Sequence, residues 1–224
     1  MKFKSLLNKQ KDNSSLYINE SYSQEGEDGI LHRIFEGQKQ GFFIDIGAHH
    51  PFRFSNTYKF YKLGWRGINI DAMPGSMDAF KVARPEDINL EIPVSDKAEE
   101  CRFFIFNEPA LNTLSEQSAK DYDGKDNFKL EKIITIKSQR LDAILDQYIN
   151  PGQHIKFMSI DAEGYDYKVL SSNNWDKYSP EIVLVESMQE FKDFVTSDIY
   201  KLMINNGYEF YAKTVLTYFF KRIS

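Results

Sequence analysis

Apolar runs of strand length recur along the chain with helix-patterned segments between them, and this alternation constrains the fold more than any other feature. The runs lie at 41–46, 67–71, 88–94, 156–161 and 181–186. Helical spacing falls at 30–35, at 57–63, where Ser55 or Asn56 can cap the first turn, and at about 74–84, 165–172 and 191–205. Strand, helix and strand in succession predict a parallel α/β sheet. Two regions break the rhythm. Residues 101–107 and 132–138 read as strands on either side of a polar stretch, 115–129, expected to form a mobile flap. At the C-terminus, 208–212 and 215–220 alternate in polarity and predict a closing antiparallel pair.

With 224 residues the chain can bury a real core without disulfides or metal. Cys101 is the sole cysteine, which excludes an internal disulfide and a cysteine-rich zinc cluster. A formal net charge of −5 provides no global basic field for nucleic acid. The apolar patch behind Met1 is too short for a signal peptide, and no run approaches membrane-spanning length. The expectation is a cytoplasmic protein without nucleic-acid partner or stable membrane insertion; a homodimer is compatible with the sequence. Residues 1–20 read as a loosely attached arm and 21–224 as one domain, with the flap at about 101–138.

In open α/β sheets ligands sit beyond the carboxyl ends of the strands. There the chain offers Asp45-Ile-Gly-Ala48, where a glycine lets backbone approach a ligand closely, and Asp71, whose carboxylate can take both hydroxyls of a ribose. After Gly47 come Ala48, His49, His50 and Pro51, so the glycines that cradle a diphosphate are missing. An adenosine cofactor without phosphate, S-adenosylmethionine, suits these strand ends.

The segments Ser23-Gln-Glu-Gly-Glu-Asp28, Phe43-Ile-Asp-Ile-Gly-Ala-His-His-Pro-Phe-Arg-Phe-Ser-Asn-Thr57, Gly64-Trp-Arg-Gly-Ile-Asn-Ile-Asp-Ala72, Phe106-Asn-Glu-Pro-Ala-Leu-Asn-Thr113 and Ser159-Ile-Asp-Ala-Glu-Gly164 together resemble the FkbM-type methyltransferases that use S-adenosylmethionine. The resemblance spans about residues 20–188. It implies a Rossmann-like class I methyltransferase fold, a seven-stranded, mostly parallel sheet closed by the C-terminal antiparallel hairpin. It also implies O-methylation of a hydroxyl on a sugar, nucleotide sugar or glycan precursor, as in surface-polysaccharide or secondary-metabolite biosynthesis. By the same resemblance Asp45, Gly47 and Ala48 form the first cofactor loop, Asp71 holds the ribose, and Ala72 lies against the adenine. Ser95 and Asp96 reach the adenine amine, Ser55, Asn56 and Thr57 face the methionine end, and Gln24 lines the site. The loop at 49–54 is longer than in many relatives.

Methyl transfer to oxygen requires alignment and removal of a hydroxyl proton. Asp161 and Glu163 follow the fourth parallel strand, beside the first in a doubly wound sheet, and Asp161 is the first choice as base or acceptor anchor. His49 and His50 are the other candidates. Asp161 and Glu163, helped by a histidine, can alternatively hold a divalent cation, magnesium or manganese, that lowers the acceptor's pKa. Arg53, Asn107, Glu108 and Asn112 sit in presumed loops and can hydrogen-bond a sugar's hydroxyls.

Two rival readings stand beside this one. Asp161-Ala-Glu163 resembles the acidic metal motif of nucleotide-sugar glycosyltransferases, although such enzymes do not need the order Asp45, Gly47, Asp71. A binding subunit that keeps the fold without catalysing is the other.

Overall fold

The computed structural model describes residues 18–223. Most of the expected N-terminal arm, and the segment weighed as a signal peptide, lie outside the described residues.

The main sheet has seven strands in the order β3-β2-β1-β6-β7-β9-β8. Its parallel members are β1 (Phe42–Ile46), β2 (Arg66–Asp71), β3 (Ile88–Glu91), β6 (Phe157–Ile160) and β7 (Ile182–Glu186). The closing pair, β8 (Tyr208–Lys213) and β9 (Thr217–Arg222), is antiparallel, and β9 docks antiparallel on β7. The chain winds outward from β1 through β2 to β3 and then returns to β1's other side with β6. The order therefore reverses between β1 and β6, which opens a crevice at their carboxyl ends.

Helices cover both faces, as burial of the central strands requires. On one side Phe43, Phe157 and Leu184 pack with Leu31 of α1 (Glu27–Ile34), Phe60 of α2 (Tyr58–Lys62) and Trp65. On the other, Ile44, Met158 and Val183 pack with α5 (Leu141–Tyr148), α6 (Asp166–Ser171), α7 (Phe191–Phe194) and α8 (Asp198–Asn205). Met77 and Phe80 of α3 (Met77–Ala83) close over Ala48. Among the described residues no helix is long and apolar enough to cross a membrane.

The helix predicted over 191–205 is two helices, because Ser197 accepts the Tyr200 N–H and starts a new N-terminus. The strand predicted over 88–94 stops at Glu91, before Pro93, which lacks the donor to continue a ladder. The expected flap is a built subdomain. In it β4 (Glu100–Phe106) and β5 (Leu130–Lys137) form their own antiparallel sheet, and the polar stretch between them contains α4 (Glu116–Tyr122), capped by Ser115. It leaves and rejoins the main body side by side, where Val94 bridges Gln139.

Candidate active site

A cavity of about 650 Å³ opens at the reversal point between β1 and β6. Its floor is Gly47, with φ of 79°, a left-handed conformation that glycine adopts without strain. A side chain here would overlap the Asp161 carbonyl oxygen, 1.7 Å from the position of a Cβ, so the two strand ends meet only because residue 47 has none.

Asp71 ends β2 at the cavity wall. Its Oδ2 accepts the His49 N–H at 2.9 Å and its Oδ1 the Met73 N–H at 2.8 Å. Each oxygen keeps a lone pair for a ligand hydroxyl. Burial pushes this carboxyl above its usual range, and the two N–H bonds oppose the rise. Beyond Asp71 the wall turns apolar through Ala72, Ile92, Val94 and Phe103. A carboxylate beside an apolar slot suits an adenosine, with the ribose on Asp71 and the base among the aliphatic side chains.

The far end of the cavity is acidic. Asp161 follows β6, Glu163 lies two residues on, and Glu186 ends β7. One carboxylate oxygen of each lies within 4.8 Å of the others. Burial and mutual repulsion raise all three: Glu163 is pushed up to about 8, Glu186 to about 7, and Asp161 well above the carboxylate range. Neighbouring Asp166, buried and raised to about 6, accepts the N–H groups of Ala162 and Gly164 and so fixes the turn that carries Glu163. Glu163 sits at φ 49°, held there by Thr113 Oγ1 donating to its carbonyl and by Tyr122 Oη donating to its Oε2, both at 2.8 Å. Gly164 follows with φ of 86°, and a side chain there would strike Ser118 of α4. The flap therefore rests directly on the acidic turn.

The expected site residues divide into two groups. Gln24, Gly47, His49, His50, Arg53, Asp71, Ala72, Asn112, Asp161 and Glu163 line the cavity. His50 Nδ1 accepts the N–H groups of Phe52 and Arg53, which places the neutral ring's hydrogen on Nε2. His50 is thus built to donate a hydrogen bond to a ligand, not to remove a proton. His49 packs against Arg53, and burial together with that charge lowers its pKa. Arg53 pairs with Glu108 of the flap at 3.0 Å.

Asp45, Ala48, Ser55, Asn56, Thr57, Ser95, Asp96 and Asn107 do not line it. Asp45 is buried toward α2, where Thr57 Oγ1 donates to its Oδ2 at 2.8 Å and Arg84 donates to Thr57 in turn. Ser55 caps α2 through the Tyr58 N–H. Ala48 is packed under α3. Asn56 donates to Ser159 beside a smaller crevice. Ser95 and Asp96 bond to each other where the chain turns into the flap, leaving Ile92 and Val94 on the wall in their place. Asn107 is spent holding the flap strands together through Asn127 and Lys129.

Glu186 and Tyr165 line the cavity without having been expected there, and Tyr122, outside the lining, reaches it through Glu163. The rule that picked out Asp71 and Asp161, an acid at a strand's end, also selects Glu186. Nothing in a single sequence brings Tyr122 to Glu163, because the contact depends on how the flap folds.

The doubly wound sheet with this strand order is Rossmann-like, and its cavity lies between the Gly47 turn and Asp71 at the switch point. Residues 45–210 match the family described as Methyltransferase FkbM domain, and the chain belongs to that family of S-adenosylmethionine-dependent methyltransferases. Among solved structures it is similar to a TehB-like SAM-dependent methyltransferase from Corynebacterium glutamicum, at 10% identity and a TM-score of 0.43, over 94% of this chain and 93% of that one. No curated protein matches the sequence. The membership favours methyl transfer over the glycosyltransferase reading.

Proposed function

We propose that the protein methylates a hydroxyl group of a sugar, nucleotide sugar or glycan precursor. The observation that carries this reading is the shared cavity, with Asp71 and an apolar slot at one end, Asp161, Glu163 and Glu186 at the other, and polar side chains between. Asp71 would accept the ribose hydroxyls and Ala72, Ile92 and Val94 would enclose the adenine. When bound, S-adenosylmethionine supplies an electrophilic methyl on a positively charged sulfur, a charge that suits the acidic end.

Gln24, Arg53 and Asn112 offer donors and acceptors to a polyhydroxylated acceptor. Asn112 Oδ1 is taken by the Phe106 N–H at 2.8 Å, which leaves its Nδ2 for a ligand. Asp161, with Glu186 and Glu163 beside it, would take the proton of the acceptor hydroxyl as that oxygen receives the methyl group the bound cofactor supplies. The flap, about 101–138, covers the acceptor end through Tyr122 and Thr113.

Incubation with labelled S-adenosylmethionine and a cell extract, followed by identification of the labelled metabolite, tests the reading. A labelled carbohydrate, with label lost in Asp161→Asn, is expected. Label on a non-carbohydrate would overturn the acceptor class. Undiminished transfer by Asp161→Asn would remove Asp161 from its role. Binding of the cofactor with no transfer to any metabolite would favour the non-catalytic reading.

A further inference from the structure

Among the described residues, no positive side chain is a leading influence on the acidic end of the cavity. The charges felt by Asp161, Glu163 and Glu186 are one another's and those of Asp166 and Glu25, all negative. Tyr122 satisfies one oxygen of Glu163, and Asp166 is spent on backbone N–H groups. Asp161 differs from both, because its Oδ1 is sealed from solvent and, among the described residues, meets no N–H or O–H donor; the Glu186 carboxylate beside it bonds it only by sharing a proton. A buried carboxylate oxygen without a donor is costly to keep, and here it belongs to a member of the cluster.

We propose that Asp161, Glu163 and Glu186 form a site for one divalent, oxygen-preferring cation of the magnesium, manganese or calcium class. The 4.8 Å that contains one oxygen from each residue is twice a cation–oxygen distance of about 2.4 Å, so the three oxygens can surround a single ion with small side-chain adjustments. An all-carboxylate set selects hard cations over zinc or copper, which favour nitrogen and sulfur. The ligands come from the ends of two neighbouring strands and the turn after one of them, all rigid parts of the fold. The histidine expected to help Asp161 and Glu163 is not in the cluster; Glu186 supplies the third ligand.

The assignment of this ion to acceptor binding rests on the proposed methyl transfer. Each residue lends one oxygen, so a second carboxylate oxygen stays available for the hydroxyl proton. The ion would draw two adjacent acceptor oxygens into place, which favours acceptors bearing vicinal hydroxyls.

Titration of the full-length protein with manganese alone, followed by electron paramagnetic resonance, tests the site without reference to activity. One tightly held ion per chain is expected, with affinity falling on the order of tenfold or more in Glu186→Gln and in Asp161→Asn. Circular dichroism and thermal melting of the same variants show that they are folded. Absence of specific manganese binding by the parent protein overturns the site and leaves a proton shared by Asp161 and Glu186 as the balancing charge. Unchanged manganese affinity in Glu186→Gln overturns the ligand assignment. Methyl transfer that persists at full rate in excess chelator overturns the acceptor role while leaving the methyltransferase reading intact. Manganese binding that depends on Glu186, in a protein that transfers no methyl group, upholds the site and defeats the catalytic reading alone.

Discussion

The backbone N–H of His49 donates to Asp71 Oδ2 at 2.9 Å, and this bond ties the loop after β1 to the tip of β2. Asp71 thus does two things with one carboxylate: it shapes the loop beside the cavity and presents its remaining lone pairs to that cavity. In Asp71→Asn an amide N–H₂ replaces one oxygen and meets the N–H of either His49 or Met73. We expect S-adenosylmethionine affinity to fall on the order of 10- to 100-fold, about 1.4–2.8 kcal/mol. Calorimetry checks this, and unchanged affinity would exclude Asp71 as the ribose acid.

Tyr122 holds the flap to the acidic turn through its hydroxyl. Removing a hydrogen bond to a carboxylate costs about 1–3 kcal/mol. In Tyr122→Phe we therefore expect the KM for the acceptor to rise roughly tenfold with cofactor affinity unchanged. Amide exchange over 113–129 should quicken, as measured by mass spectrometry. Parent-like exchange and KM would show that the flap is held by other contacts.

Asp45 gives the fold a pH dependence of predictable sign. Burial raises its carboxyl to about 6, against the opposing pull of Arg84 and the Thr57 hydrogen bond, whereas in the unfolded chain it titrates near about 3.9. Its protonated form favours the folded state, so this contribution is complete below pH of about 4 and is lost as the pH rises through about 6. The contribution is at most about 3 kcal/mol. In Asp45→Asn the denaturation midpoint should vary less between pH 4 and 6 than in the parent. Equal pH dependence in the two proteins would assign it to another group.

The sheet was readable because its strands are buried on both faces and so appear as uninterrupted apolar runs, as at 156–161 and 181–186. The hairpin was readable for the opposite reason, its alternation. Helix α5 escaped notice although Leu141, Ile144 and Leu145 carry helical spacing and are all buried. A place on the cavity was legible where backbone position alone decides it, as for Gly47, Asp71 and Asp161. Site residues were misread where side-chain direction decides it. Asp45 precedes Gly47 by two residues, yet its carboxylate turns to α2, because strand alternation sends it to the face occupied by Phe43. Ser95 and Asp96 lie just past two cavity-lining residues, but there the chain has already turned toward the flap.

The junction at Val94 and Gln139 brings the two ends of a 44-residue excursion into register with each other, and backbone bonds from Gln139 to Pro93 and from Ser95 to Gln139 clasp it there. The excursion thus has one root in the sheet, and it touches the body again where Thr113 and Tyr122 meet Glu163 and where Glu108 meets Arg53. A grafted chimera that keeps Phe103 on the wall and a partner for the Glu163 turn would recast which molecule is admitted while leaving the rest of the donor pocket as it was.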